Sequence, residues 1–305
     1  MSLLRPYPSA PPTFSVVVVT YRRDEALQRT LADLRTALAG RDAELLVVDN
    51  NADGVDRFHM LEGFARASLL SQPANLGVAG GRNAGISRSL GRFLVFLDDD
   101  ASFAGADMLD TVLRVFEEDP AIGAVAFRSI QADTGVADPA EFPHTDKRLA
   151  PDRAIDTFRF IGVGHALRRE AVEQVGTYLP EFFYSMEEFD LSYRLLSHGW
   201  RIVYRPAVTV VHRRAPQGRV PSNHRVEMSV LNKLRIAFMH LPRWQALLCA
   251  TAWLGRGFAM RRGVYRIDRV LIQFLGWASR NHDLRRPMKP RVMRRIRDMG
   301  GVAWR

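Results

Sequence analysis

A single cysteine, Cys249, is the only thiol among 305 residues, which excludes an internal disulfide framework and suits a reducing compartment. Long apolar runs are missing too. A membrane-spanning helix needs about 18 to 20 consecutive apolar residues, and the nearest stretch, Trp244 to Met260, is interrupted by Gln245, Arg256 and two glycines. Ser2 to Thr13 is Pro-rich without a charged-then-apolar leader pattern, so a cytoplasmic protein is expected. Acidic residues are scarce at one end only. Residues 222–305 hold 4 Asp and Glu against 18 Lys and Arg, a balance of +14, while residues 1–221 hold 29 against 25, a balance of −4. The net charge of +10 therefore belongs to the C-terminal quarter. A segment of that sign is expected to meet an anion, either nucleic acid or an acidic membrane leaflet.

What remains is an ordinary globular composition, 47% hydrophobic and 25% charged, enough for a full core. Residues 14–20 (FSVVVVT) and 44–49 (ELLVVD) are apolar and β-branched and read as buried strands. Between them, residues 23–39 place Ala26, Leu27, Leu31, Leu34 and Leu38 at helical spacing before Gly40. Helix is expected again over 58–67, 78–90 and 106–118, and strand over 68–71, 92–97 and 121–127. Strands that alternate with helices and are apolar on both faces predict an α/β, Rossmann-like fold with a mostly parallel sheet flanked by helices. Residues 131–157 are polar, Pro-rich and aperiodic, a loop long enough to be functional. Beyond it the pattern predicts a strand pair over 158–167, helices over 170–175 and 187–197, and a last strand over 201–211. The rest reads as helical. Trp244, Leu247, Leu248, Trp253, Leu254 and Phe258, flanked by Arg243, Arg256, Arg261 and Arg262, form a pattern found in helices that lie in membrane interfaces. A helix packed on the domain with its arginines exposed would show the same pattern.

Chemistry concentrates at strand ends. Asp98, Asp99 and Asp100 follow the apolar run 92–97. Three adjacent carboxylates repel one another unless a cation neutralises them, and Mg²⁺ and Mn²⁺ favour carboxylate oxygen and substrate phosphates. Ligands of open α/β sheets sit at the carboxyl ends of the strands, so a metal-bridged phosphate site is expected there. Thr20-Tyr21-Arg22 and Asp49-Asn50-Asn51 close the first two strands. An Asp so placed can accept the imide N3–H of uracil or thymine, with Tyr21 flanking the base. The segment Asn75-Leu76-Gly77-Val78-Ala79-Gly80-Gly81-Arg82-Asn83-Ala84-Gly85 is Gly-rich and opens a helix, which lets backbone approach a phosphate. It matches neither a Walker A nor a GxGxxG pattern. In Glu187-Glu188-Phe189-Asp190-Leu191-Ser192-Tyr193-Arg194, Asp190 and Arg194 are spaced to pair on one helix face. Glu187 and Glu188 are left at the helix start, where the dipole favours carboxylates.

This ordered set resembles glycosyltransferase family 2, inverting enzymes of the GT-A fold, and within it the bacterial rhamnosyltransferase-like branch. The likeness spans residues 14–215. It implies a UDP- or dTDP-sugar donor, a Mn²⁺ or Mg²⁺ cofactor, and transfer to a hydroxyl of a saccharide or lipid-linked saccharide in cell-surface glycan synthesis. Carried across, Asp49 contacts the base, Asp98 the nucleoside or sugar, and Asp100 the metal bridging the diphosphate, with His212 as a further metal ligand. Thr20, Tyr21, Asn50, Asn75, Gly77, Arg82, Asn83 and Asp99 are counted as substrate-binding with them. Glu188 holds the place of the catalytic base, where Asp is commoner, and Glu187 is its nearest competitor. Arg213, beside Arg214, is placed to hold the diphosphate, and His165 falls where the family contacts acceptor or sugar. Arg22 departs from the family, which often has Asn there, and is expected to reach a phosphate or solvent.

The expected organisation is a tail over 1–13, a GT-A domain over 14–221 and a helical basic extension over 222–305. The domain divides into a nucleotide-sugar half, 14–130, and an acceptor half, 131–221. Two other classes compete. A sugar-nucleotide pyrophosphorylase would need a Gly-rich, basic loop after the first strand, where this chain has Thr20-Tyr21-Arg22-Arg23-Asp24. A basic nucleic-acid- or membrane-binding protein with a non-catalytic GT-A domain accounts for the C-terminal charge but leaves the acidic sets without a role. For the enzyme, no nucleic-acid partner is expected, and peripheral contact with the inner leaflet suits a lipid-linked acceptor.

Overall fold

The computed structural model describes residues 10–218, 220–260 and 266–301; Arg261 and Arg262, and most of the expected N-terminal tail, lie outside them. Four strands build the first half of the sheet: β1 (Phe14–Thr20), β2 (Ala43–Asp49), β3 (Ala67–Ser71) and β4 (Phe93–Asp98). They pair in parallel, and the register sets Thr20 beside Asp49 and Val19 beside Asp98. The sheet continues with β5 (Ala101–Phe103), β6 (Ile122–Gln131), β7 (Ile155–Asp156), β8 (Gly164–Arg168) and β9 (Arg201–His212). Its spatial order is β3-β2-β1-β4-β8-β6-β9-β5, with β7 also on β9. Beyond β4 the pairing is mixed, because β8 enters antiparallel between β4 and β6.

Both sheet faces are covered. Val16 and Val18 of β1 point into a cluster with Leu27, Leu31 and Leu34 of α1 (Asp24–Leu38) and Leu109, Val112 and Phe116 of α3 (Met108–Glu118). Val17 points the other way, toward Ala79 and Ile86 of α2 (Gly77–Arg88), Ala171 of α4 (Arg169–Val175) and Leu191 of α5 (Glu187–Ser197). This two-sided burial is what the continuous valine run encodes, and each such side chain contributes roughly 1.5–3 kcal/mol.

The basic extension forms α6 (Ser222–His240), α7 (Arg243–Met260), α8 (Ile267–Arg280) and α9 (Pro290–Asp298). Ile236, Met239, Cys249, Trp277 and Ile296 from these helices join the same core as Val17. No helix among the described residues is long and apolar enough to cross a membrane.

Two expected elements are corrected. In place of a helix over 58–67 there is a short 3₁₀ turn, Phe58–Leu61, and β3 already begins at Ala67. Arg35 takes up the Met60 and Glu62 carbonyls with its guanidinium, and Gly63, at φ +88, turns the chain away. Residues 158–167 contain one strand rather than a pair. Phe158, Phe160, Ile161 and Val163 are buried as core side chains, so their apolarity reports packing and not a ladder. The three-residue β5 was not foreseen.

Candidate active site

The carboxyl ends of β1, β2 and β4 open onto a cleft of about 820 Å³, beside the point between β1 and β4 where the strand order reverses, which is where ligands of open α/β sheets sit. Thr20, Tyr21, Arg22, Asn50, Asn75, Gly77, Arg82, Asp98, Asp99, Asp100 and His212 all line it. The structure thus gathers most of the motif residues into one place.

The three aspartates have different surroundings. Asp99 is buried and saturated: it accepts from Thr20 Oγ1 at 2.9 Å, from the Tyr21 amide at 3.4 Å and from Arg23 Nη1 at 2.8 Å. Burial nevertheless pushes its pKa up to about 6 against the pull of Arg23. Asp99 is a strut between strand ends. Asp100 accepts from the Ala215 amide at 2.8 Å with Oδ2, whereas its buried Oδ1 has no hydrogen-bond partner and lies 3.3 Å from His212 Nε2. Asp98 is more open and touches Arg82 at 3.5 Å.

Ligand atoms of Asp98, Asp100 and His212 all fall within 4.8 Å of one another. The set fits a hard divalent ion, and the orphaned Asp100 oxygen is the acceptor such an ion would satisfy. The metal set foreseen from sequence was Asp100 and His212; the geometry adds Asp98. His212 Nδ1 contacts Glu141 at 2.8 Å, an outer carboxylate that holds the ring. Burial works against charge on His212, but Asp100 and Glu141 outweigh it and push the pKa up to about 10.

Arg82, which also lines the cleft, is buried and joins the two acidic motifs. It donates to Glu187 Oε1 at 2.9 Å and to the Gly162 carbonyl at 2.9 Å, and stands 4.0 Å from Glu188. Glu187 is 3% exposed at its side chain and Glu188 is 18%. Burial first, and then the neighbouring Glu188, push the Glu187 pKa up to about 8. A Cβ at Gly162 would stand 2.5 Å from Glu188 Oε1, so any larger residue there would displace the Glu188 carboxylate.

Other candidates lie elsewhere. His165 is fully buried beneath the cleft, stacked with Phe96 and Phe160, and both ring nitrogens are engaged, by the Ile161 carbonyl and by Tyr178 Oη. Burial holds its pKa well below the usual histidine value. Asn83 spends both ends of its side-chain amide on the Tyr178 backbone, donating to the carbonyl and accepting from the N–H. Arg213 turns away to Asp33 and Ser102, and Arg214 takes its place in the lining. Asp49 sits in a separate depression of about 550 Å³ with Ser71 and Gln72; it is 3% exposed and held by Arg57 at 3.0 Å. Glu141, Arg57, His224 and Met228 had no sequence signal, because each reaches the site from a loop or helix face without a motif.

A family model described as glycosyl transferase family 2 matches residues 15–176. The chain belongs to that family. As a family 2 glycosyltransferase it is 27% identical over 279 residues to the N-acetylglucosaminyl-diphospho-decaprenol L-rhamnosyltransferase of Mycobacterium tuberculosis, covering 79% of this chain and 89% of that one. Among solved structures, a Pyrobaculum calidifontis mannosyltransferase in complex with GDP-Man and Mn²⁺ superposes with a TM-score of 0.57 at 19% identity, over 98% of this chain and 86% of the other. GalNAc-T7 with UDP, GalNAc and Mn²⁺ gives a TM-score of 0.62 at 18% identity, over 96% and 58%. The glycosyltransferase therefore has the GT-A fold.

Proposed function

We propose that this glycosyltransferase is a metal-dependent inverting enzyme that moves a sugar from a UDP- or dTDP-sugar to a hydroxyl of a saccharide or lipid-linked saccharide, in cell-surface glycan synthesis on the cytoplasmic side. The observation that carries this reading is the convergence of Asp98, Asp100 and His212 in one cleft, whose Arg82 lies 3.5 Å from Asp98 and 4.0 Å from Glu188. Asp98, Asp100 and His212 hold Mn²⁺ or Mg²⁺, which when bound supplies Lewis-acid stabilisation of the leaving diphosphate.

The chain's own groups do the rest. Asp49 has a carboxylate lone pair left for the imide N3–H of a pyrimidine seated in its depression. Tyr21, with the Arg22 guanidinium 5.1 Å above its ring, flanks the nucleoside. Glu188 accepts the acceptor's hydroxyl proton as that oxygen forms a bond to the anomeric carbon and the bond to the diphosphate oxygen breaks. One base on the face opposite the leaving group inverts the centre. Glu187 is the weaker candidate because it is enclosed and bound to Arg82.

The test is thermal shift and donor hydrolysis with Mn²⁺ over a panel of UDP-, dTDP- and GDP-sugars. A uridine or thymidine donor should stabilise the protein in a Mn²⁺-dependent way, and Asp100→Asn should abolish that. Silence toward every nucleotide would overturn the proposal.

A further inference from the structure

A second crevice, of about 560 Å³, lies between α6, α7 and the turn that leads into α5. Tyr184 and Arg225 line both this crevice and the main cleft, so the two spaces adjoin. Its walls are of two kinds. Met186, Val226 and Trp253 are apolar, while Arg225 and Arg256 are cationic, and no Asp or Glu is among its described lining residues. The Arg256 guanidinium stands 5.5 Å over the Trp253 ring.

The turn is conformationally unusual. Ser185 and Met186 both lie at positive φ, 73° and 71°, immediately before Glu187 and Glu188. Such backbone costs on the order of 1–3 kcal/mol per residue and persists only where the surroundings impose it. Here Asn232 of α6 imposes it, donating to the Tyr184 and Ser185 carbonyls at 3.1 and 2.8 Å. Asn232 thus ties the crevice wall on α6 to the turn that leads into the helix bearing the base.

The outer face of α7 continues the apolar character. Trp244, Leu247, Leu248 and Phe258 fall on one helical stripe and are 49–67% exposed, on a helix whose opposite face, with Cys249, is already buried. Exposed apolar side chains beside arginines are the composition of a surface that rests on lipid.

We infer that this crevice is the acceptor's docking site and takes a lipid phosphate. The anionic head would lie between Arg225 and Arg256, the chain over Trp253 and Met186, and the sugar end would reach Glu188 through the opening at Tyr184. This deepens the transferase reading above and rests on it for the acceptor role.

The test uses the full chain and three probes: farnesyl diphosphate, inorganic pyrophosphate and farnesol. Wild type should bind farnesyl diphosphate at least about tenfold more tightly than either fragment. Arg256→Glu and Trp253→Ala should each weaken it at least about tenfold, the first through a lost charge-assisted contact and the second through lost apolar burial. Arg256→Lys and Trp253→Phe should retain binding, which excludes misfolding as the cause. UDP and dTDP binding with Mn²⁺, measured on the same variants, should not change. Equal affinity for pyrophosphate, or farnesyl diphosphate binding indifferent to all four variants, would overturn the inference. Equal binding to phosphatidylglycerol vesicles with and without lipid diphosphate would also overturn it, in favour of general surface adsorption. Failure of nucleotide binding with the farnesyl diphosphate results intact would remove the transferase reading and leave the lipid-phosphate site.

Discussion

His240 Nε2 lies 2.8 Å from Asp190 Oδ1, and this contact fastens α6 to the helix that carries Glu187 and Glu188. The other Asp190 oxygen takes Arg194 at 2.7 Å, and Arg194 also caps the carbonyls of Val175, Gly176 and Thr177. The basic extension and the acidic motif are thus joined in one buried polar network.

Breaking the network should destabilise the whole domain. Asp190→Asn leaves Arg194 and His240 facing a neutral partner and should cost about 3 kcal/mol, read as a fall in denaturation midpoint. Burial alone would raise the Asp190 pKa, but attraction to Arg194 and His240 wins and holds it below the ordinary value. Its stabilisation is therefore complete above about pH 4, where the unfolded carboxylate is ionised, and is lost as pH falls through the lower folded value. The variant should lack that part of the acid dependence.

Metal should stabilise the protein through its three converging side chains. Mn²⁺ should raise the melting temperature of wild type, and EDTA should reverse it. Asp100→Asn and His212→Ala should each remove the response. A response that survives both would place the ion elsewhere.

The two glutamates should separate by experiment. Glu188→Gln should lower kcat by about 10²–10⁴-fold with the donor KM little changed, as for loss of a general base. Glu187 should act through stability. Its folded pKa of about 8 means that the folded chain keeps a proton that the unfolded chain releases near pH 4. Stability should therefore decline as pH rises between those values and level off above them. Glu187→Gln should flatten that slope in melting curves taken across the range.

Gly162→Ala should damage activity more than folding. The added methyl would meet Glu188 Oε1 at 2.5 Å and Arg82 Nη2 at 2.9 Å, both ends of movable side chains. By contrast, Gly77→Ala places a methyl 2.2 Å from the Phe183 carbonyl oxygen at a φ of +69. It should cost more than the roughly 1–2 kcal/mol of left-handed strain alone, seen as a lower melting temperature or loss of soluble protein.

Much of the scaffold was legible because it depends on local pattern. The valine run of β1 and the period of α1 and α3 announce themselves, and a buried parallel strand must end where its apolar run meets polar residues. That is why Thr20, Asp49 and Asp98 can be assigned to one sheet edge from residue order alone. The same apolar signal misled at 158–167, where burial without strand pairing has an identical composition. His165 and Asn83 looked like ligand groups for the same reason: a polar residue in a motif reads alike whether it faces a cleft or Tyr178.

The amino-acid sequence by itself determined the α/β order, the acidic motifs and their position at strand ends, since these follow from side-chain periodicity and chain punctuation. Only the tertiary structure decided which carboxylates meet. The short β5 pairs antiparallel with the end of β9, setting Ala101 opposite His212, and this places the Asp100 carboxylate against the imidazole. A three-residue strand has no periodicity to read, and its partner lies at the far end of the domain. Pairings of that kind come from the closing of the sheet as a whole.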